Sequence, residues 1–533
     1  MTELANSTSA PETSSRRLAR GTLAVGCLAV FLAQFAVAIS TTLTGLFQAD
    51  LHATGSQITW ILDASLLPVA VLELTFGVLG DLFGRKRLLT GGALVLAAGE
   101  AVSVSGGLHL LWAGQAVAGV GAAAIFPSSL AMIAAVTHTI RQRAMAIAIW
   151  AAALSSGAFF ATLVGGLSGA HGSWRTAFVI VAIVGVIAAA LSQTARDSGA
   201  PSDRSLDIGG QITIAIGMVA LLFAVIQGPD DGWGSAPVIV GFAVAAVFLA
   251  LFGFAETRSR SPLLHLSLFR NRSFTIAAAA ATIGMLSFLG ACYAITIRLG
   301  AVQHQSTLRI AAAFLTVNAW PVVLIPVTAT LLARIPARWL LSISFLVMAC
   351  GDLLVARIPI TDTALPSLIL PLALIGIGFA FAVSSITATA VNTVPVHLAG
   401  MASGATTQLR HFGFTLGPAI IGAVALSRAG AAFGSALSAS PLPPALKAAV
   451  GHIEAADGPL AVNSLPARTP LGKAAPLALQ ALGHGYSIGF VVCACAAGVS
   501  CLLAAVMLRS SHADLAVGEA EAEVILPPAS ATA

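Results

Sequence analysis

Charge is scarce in this chain. Only 26 basic and 21 acidic side chains are spread over 533 residues, or 9% of the total. A water-soluble globule needs a surface that is roughly 25–35% charged, so a soluble fold is excluded. Cysteine gives no framework either. Cys27, Cys292, Cys350, Cys493, Cys495 and Cys501 all lie in or beside apolar stretches, where a thiol serves as a small packing group. The Cys493-x-Cys495 pair near Cys501 lacks the polar surroundings that a metal site requires. There is no nucleophile–base constellation and no glycine-rich phosphate loop, so the chain is not read as an enzyme, and no cofactor or metal is expected. The net charge of +5 comes from basic residues in short loops rather than from a patch, which argues against nucleic-acid binding.

Long hydrophobic runs fill the rest. The chain is 57% hydrophobic, in blocks rather than at amphipathic spacing, and the blocks read as membrane spans. About fourteen can be counted, from 22–46, 57–79 and 88–106 at the start to 306–333, 338–356, 365–392, 400–427 and 485–508 at the end. Arg16, Arg17 and Arg20 precede the first apolar run, and Ala36-Val37-Ala38 has the look of a cleavage site. The long polar leader and long apolar run instead favour an uncleaved first helix. An even number of spans puts both termini on one side. Basic residues at 85–87, Arg141, Arg143, Arg196, Arg204, Arg258, Arg260, Arg270, Arg272, Arg334, Arg338 and Arg509 assign that side to the cytoplasm. Short loops on the other side hold only Arg175, Arg298, Arg309 and Arg357. The expected setting is a bacterial cytoplasmic membrane, crossed many times.

The run GVLGDLFGRKR at 77–87 is the densest charge cluster. Gly77, Gly80 and Gly84 permit a tight helix–loop–helix turn, while Asp81, Arg85, Lys86 and Arg87 crowd its face. An ordinary positive loop explains the basic residues but not the ordered Gly–Asp–Gly–Arg spacing. That spacing resembles the loop between helices two and three of major facilitator superfamily transporters. LDIGGQ at 206–211, QGPDDGWGS at 227–235, SPLLHLSLFRNRSF at 261–274 and GMASGATTQLRHFGFTLGPAIIGAV at 400–424 are similar to stretches of its fourteen-helix drug/proton antiporters, the EmrB/QacA type. SWRTAF at 173–178 matches their entry to helix six.

The resemblance implies an all-α polytopic fold of two six-helix bundles with two extra helices between them. The implied division is a tail at 1–21, a first bundle at 22–192, an inter-bundle region at 193–273, a second bundle at 274–508 that includes an outer segment at 428–484, and a tail at 509–533. Gly77, Asp81, Gly84, Arg85 and Arg87 would form an inner gate, the carboxylate capping a neighbouring helix and pairing with the loop arginines.

An ionisable group at mid-helix costs about 2.5–3.5 kcal/mol on insertion scales, so each one asks for a reason. Asp63 and Glu73 share the second span, about 15 Å apart along its axis, too far for a shared-proton dyad. They can serve as two proton stations, one for each side. Asp63 follows Trp60-Ile61-Leu62, a spacing similar to a helix-two aspartate in family members that export cationic drugs. With that acid near the ligand path, dications should be handled less well than monocations or neutral compounds. Arg410 falls near mid-depth and needs a counter-charge, for which Glu73, Asp63 or a substrate anion qualifies. His411 can shuttle a proton, but one step round the helix from Arg410 it is assigned to lipid-side packing. Glu100 and Asp352 are placed near the outer ends of their helices, within reach of water.

Departures from the family pattern matter as well. Its helix-one aspartate is Ala36 here, its helix-four arginine is Gln115, its helix-five proline is missing, and the second-half loop has Ala333 for its acid. Losing the helix-one acid and helix-four base together leaves neither charge orphaned; Glu73 with Arg410 is the candidate replacement. Gln34, Gln115, Phe159, Phe160, Tyr293, Asn318, Trp320, Asn392 and Phe412 are candidate cavity residues, since aromatics with a few amides suit bulky amphipathic ligands.

The resulting expectation is a proton-coupled multidrug efflux transporter working by alternating access. Its partners would be amphipathic small molecules, protons and the lipid bilayer, and it would act as a monomer. A dedicated exporter of one metabolite, lipid or self-made antibiotic is the alternative, and a non-transporting receptor or scaffold is the alternative of another class.

Overall fold

A computed structural model describes residues 9–137, 140–195, 206–259, 262–392, 394 and 399–508. Arg196, Arg204, Arg260, Arg509 and the tail 509–533 lie outside the described residues, as does the side chain of Asn392. Everything described is helix or connecting turn. In chain order the helices are α1 Ser9–Ala38, a short α2 Thr44–Leu51, α3 Gly55–Phe83, α4 Arg85–Val104, α5 Leu108–Ala135, α6 Ile140–Ala170 and α7 Arg175–Ser192. They continue with α8 Ile208–Asp231, α9 Ala236–Arg258, α10 Arg272–Ile297, α11 Thr307–Val323, α12 Ile325–Arg334, α13 Ala337–Arg357 and α14 Leu365–Asn392. The last three are α15 Ala399–Ala439, α16 Pro444–Asn463 and α17 Ala475–Leu502. Among the described residues, thirteen helical stretches are long and apolar enough to cross a membrane, and Thr307–Val323 is a shorter apolar helix beside them. Rows of large apolar side chains on the outer surface, such as Ile183, Val186, Ile239, Val247 and Phe254, suit lipid and would be ruinous in water.

Two separate cores organise these helices. One is built from α1–α7, around Phe47, Trp174 and Phe178. The other is built from α10, α11 and α13–α17, around Phe345, Tyr486 and Phe490, with Ile58 and Leu62 of α3 packed into it. The α8–α9 pair belongs to neither. It lies in the seam where α3 meets α15: Ile214 and Met218 pack with Val71, and Leu222 and Ile226 pack with Ala419. Ser56 donates to the Ile226 carbonyl at 3.0 Å, and Trp233 Nε1 donates to Ser427 Oγ at 3.1 Å, tying the pair to both sides.

Local chemistry sets the helix ends. Thr54 and Gln57 form a reciprocal capping box at the start of α3. At its far end the chain turns through Gly84, whose φ of 98° is a conformation that side-chain-bearing residues rarely adopt. The expected single span at 306–333 is two helices instead. Pro321 ends α11, Leu324 departs from helical geometry, and Pro326 opens α12. The outer segment 428–484 is helical. It extends α15 to Ala439 and folds back through α16, with its own core of Phe433, Leu437, Val450 and Val462.

Candidate functional site

A cavity of about 230 Å³ lies between the two cores at mid-depth. Each helix around it presents one stripe at helical spacing: Leu62, Leu66, Val69 and Glu73 from α3, and Thr407, Arg410, His411, Phe414 and Pro418 from α15. Gln34 of α1, Thr41 of the turn that follows it, Phe126 of α5, Trp150 of α6, Tyr293 and Thr296 of α10, Asn318 of α11 and Phe379 of α14 complete the wall. Most of that wall is apolar. Phe288 and Phe379 stack face to face with centroids 3.7 Å apart, and Phe414 sits 6.4 Å from each. Such a surface takes flat apolar rings with loose polar demands.

One polar group interrupts it. His411 Nδ1 lies 2.5 Å from Glu73 Oε2, an approach off the axis of a well-formed hydrogen bond, and neither atom has another partner among the described residues. Glu73 is 8% exposed. The His411 ring is also held between Phe126 and Phe414, each 5.9 Å away. Arg410 lies within electrostatic reach of Glu73 and leaves its Nε without a partner. His411 therefore faces the cavity rather than lipid, against expectation, and it is His411 that makes the close contact to Glu73. The stripe Thr407–Arg410–His411–Phe414 was the legible signal for it, since residues three and four apart share a face.

Among the other candidates, Gln34, Tyr293 and Asn318 stand on the wall. Gln115 is buried inside the first core, donating through Nε2 to Glu100 Oε2 at 3.3 Å and to Ser103 Oγ at 3.1 Å. Phe160 points outward, edge-on to Phe31 and Phe159, and Phe159 is likewise off the wall. Trp320 is turned toward α14 at Gly376, and Phe412 packs against the α8 cluster of Ile214 and Met218. Asp63 is fully buried, off the cavity wall, with no hydrogen-bond partner for either oxygen among the described residues. One turn away, Thr59 shares a 2.7 Å hydrogen bond with Tyr293 across the two cores. Glu100 and Asp352 do not reach water as expected. Both are fully buried, each inside one core, with Ser287 Oγ donating to Asp352 at 3.3 Å.

The 77–87 cluster is a compact lock within the first bundle. Arg85 donates to Asp81 through Nη2 at 2.7 Å and Nε at 3.1 Å, and through Nη1 to the Ala131 carbonyl of α5 at 3.1 Å. Lys86 reaches the Gln193 carbonyl, while Arg87 is exposed and Gly77 packs near Pro127.

The opposite end of the seam is bolted. Thr44 meets Thr296 hydroxyl to hydroxyl at 3.1 Å, and Thr296 also donates to the Thr41 carbonyl. Thr307 donates to the Gly166 carbonyl at 2.9 Å, and Asn318 Nδ2 donates to Thr162 Oγ1 at 3.0 Å. Gly45 and Gly300 pass so closely that a Cβ on Gly45 would come within 2.9 Å of the Gly300 carbonyl. A second hollow of about 340 Å³ opens at this end, between the α8–α9 turn, α15 and α16.

Two cores with a shared central cavity, a paired extra helix set and the Gly–Asp–Gly–Arg turn fit one family, and the comparison with known sequences decides it. The profile of the Major Facilitator Superfamily matches residues 26–418. The chain belongs to that superfamily. Among its facilitator relatives, the multidrug resistance protein Stp of Mycobacterium tuberculosis (strain CDC 1551 / Oshkosh) is 30% identical over 367 residues, 68% of each chain. The tetracenomycin C resistance and export protein of Streptomyces glaucescens is 29% identical over 502 residues, 92% of this chain and 91% of that one. In fold, a bacterial homologue of the human lysosomal transporter Spinster matches with a TM-score of 0.61 at 16% identity, covering 93% of this chain and 99% of that one. The nucleoside transporter NupG matches at 0.59 and 12%, covering 91% and 100%. This facilitator is therefore a membrane transporter rather than an enzyme.

Proposed function

We propose that this protein is a proton-coupled exporter of amphipathic small molecules, and that it works by alternating access in the bacterial cytoplasmic membrane with both termini in the cytoplasm. The observation that carries the reading is the mid-depth cavity: an apolar, aromatic wall for the ligand with one buried acid, Glu73, beside His411 and Arg410. Relatives named for multidrug resistance and for antibiotic export support the substrate class. A proton moving inward gains about 2.3 kcal/mol per 100 mV, enough to drive a useful substrate gradient.

The units that rock are assigned as 22–192 and 274–508, with 193–273 as the inter-bundle region and the protein acting as a monomer. Asp81, Arg85 and Arg87, with Gly77 and Gly84, are assigned to the cytoplasmic gate. The bolted end is then the outer one. Glu73 and Arg410 are assigned to coupling, while Asp63, off the wall, serves the outer gate beside Thr59 and Tyr293. A second reading, a dedicated exporter of one antibiotic, is favoured by the relative that spans most of the chain, since it is named for a single compound.

Substrate-induced proton movement in everted vesicles tests the proposal, with wild type compared to Glu73→Gln across cationic and neutral amphipathic compounds. A signal lost in the variant supports coupling at Glu73. A signal that survives moves coupling elsewhere. No signal with any compound removes the drug-exporter reading, and a scaffold predicts that result.

A further inference from the structure

His411 was assigned to packing by sequence, yet it makes a close polar contact with Glu73 in the cavity. We propose that His411 is the group that gives up a proton when substrate binds, and that the site exchanges one organic monocation for that proton at the Glu73 carboxylate. The direction of net transport rests on the exporter reading; the exchange itself does not.

The geometry supplies the first step. His411 Nδ1 stands 2.5 Å from Glu73 Oε2 without the alignment of a hydrogen bond, and at that distance their two lone pairs repel unless the pair carries a proton. Imidazole is the side chain whose ordinary titration falls nearest neutral pH, at about 6.5. Among the described wall residues Glu73 is the other group able to exchange a proton, and the His411 variants below separate the two. α3 presents Glu73, α5 presents Phe126, and the histidine's own helix adds Arg410 and Phe414. α14 brings Phe379, and α10 brings Phe288 with Cys292 and Tyr293, the remaining titratable groups on the wall. A thiol and a phenol are both neutral at that pH.

Charge bookkeeping supplies the second step. With Arg410 fixed, the proton-loaded state of this proposal is an imidazolium beside a carboxylate. A monocation that pairs with Glu73 keeps the total charge unchanged only if the imidazolium releases its proton to water. In an apolar cavity the alternative, an extra uncompensated charge, is strongly disfavoured. A neutral compound leaves the proton in place, and a dication brings one charge too many. The Phe288–Phe379–Phe414 faces receive the flat ring of the ligand and add cation–π attraction.

A matched pair of probes separates charge from shape. N-methylphenanthridinium and neutral phenanthridine are titrated into purified full-length protein between pH 6 and 8. The solution is weakly buffered and carries a pH indicator. Expected for wild type is release approaching one proton per bound N-methylphenanthridinium toward the acid end of that range. There its affinity falls toward tenfold per pH unit, and phenanthridine releases none. His411→Gln binds the cation with no release and a flat pH profile, and Glu73→Gln weakens the cation at least tenfold at every pH. Release that persists in both His411→Gln and His411→Asn, each checked for a native-like melting transition, overturns the assignment. So does a wild type that binds the cation without release or does not bind it. These readouts come from binding alone, so they stand or fall separately from the vesicle test of export.

Discussion

A one-residue step round an α-helix swings a side chain by about 100°, and two assignments turn on that step. Leu62 faces the cavity while Asp63 does not, and His411 faces it while Phe412 packs on α8. The consequence for Asp63 is specific. Asp63→Asn should leave the ratio of cationic to neutral substrates exported within about twofold of wild type, whereas Glu73→Gln should collapse it at least tenfold, about 1.4 kcal/mol; drug-accumulation assays in cells read both. A selective loss of cations in Asp63→Asn would return that acid to the ligand path. Gln115 makes the contrasting case. Removing its donors in Gln115→Leu leaves the buried Glu100 without a hydrogen-bonding neighbour, at a cost of about 1–3 kcal/mol. Thermal unfolding in detergent should register that loss, with no change in which compounds are exported.

At the scale of helices, the membrane made the sequence unusually legible, because a span must be long, apolar and internally hydrogen-bonded. The span count and the turn at Gly84 followed from block length and glycine spacing, while the extra pair was implied by the resemblance to the fourteen-helix antiporters. The break at 323–325 was harder, since Pro321 and Pro326 are also tolerated inside spans when neighbouring helices cover the freed backbone. The 428–484 segment was illegible for a different reason: alanine, proline and leucine suit a loose loop and a short hairpin equally well. Which face of a helix lines the cavity was open too. A hydrophobic sequence has no polar face to mark, and only the ionisable stripes on α3 and α15 carried that information. The turn itself is testable. Gly84→Val places a β-branched residue at φ 98° and ψ 125°, a region side-chain-bearing residues rarely occupy, costing about 1–3 kcal/mol. A lowered melting temperature should therefore accompany weakened Asp81–Arg85 pairing, while Gly91→Val, at a site open around the Cβ, should be near neutral.

For the molecule as a whole, one end of the seam is held by direct contacts between the bundles and the cavity lies below it. Among the described residues, the hydroxyl pair Thr44–Thr296, the Thr307–Gly166 bond, the Asn318–Thr162 bond and the Gly45–Gly300 contact all join α1–α6 to α10–α11. Each is a single neutral hydrogen bond or a van der Waals contact, worth about 0.5–1.5 kcal/mol where it is a bond. Together they are strong enough to hold a closed state and weak enough to be broken by differences in ligand or proton affinity. If transport requires this end to open, joining the bundles there must stop it. Thr44→Cys with Thr296→Cys places two thiols where hydroxyls now sit 3.1 Å apart, within reach of a disulfide. Oxidation of the double variant should abolish export, and dithiothreitol should restore it, while Thr44→Cys alone should be insensitive to both and so controls for Cys292, one turn before Thr296. Full activity in the oxidised, demonstrably cross-linked protein would mean that the bundles do not part at this end, and alternating access would have to be abandoned for this transporter.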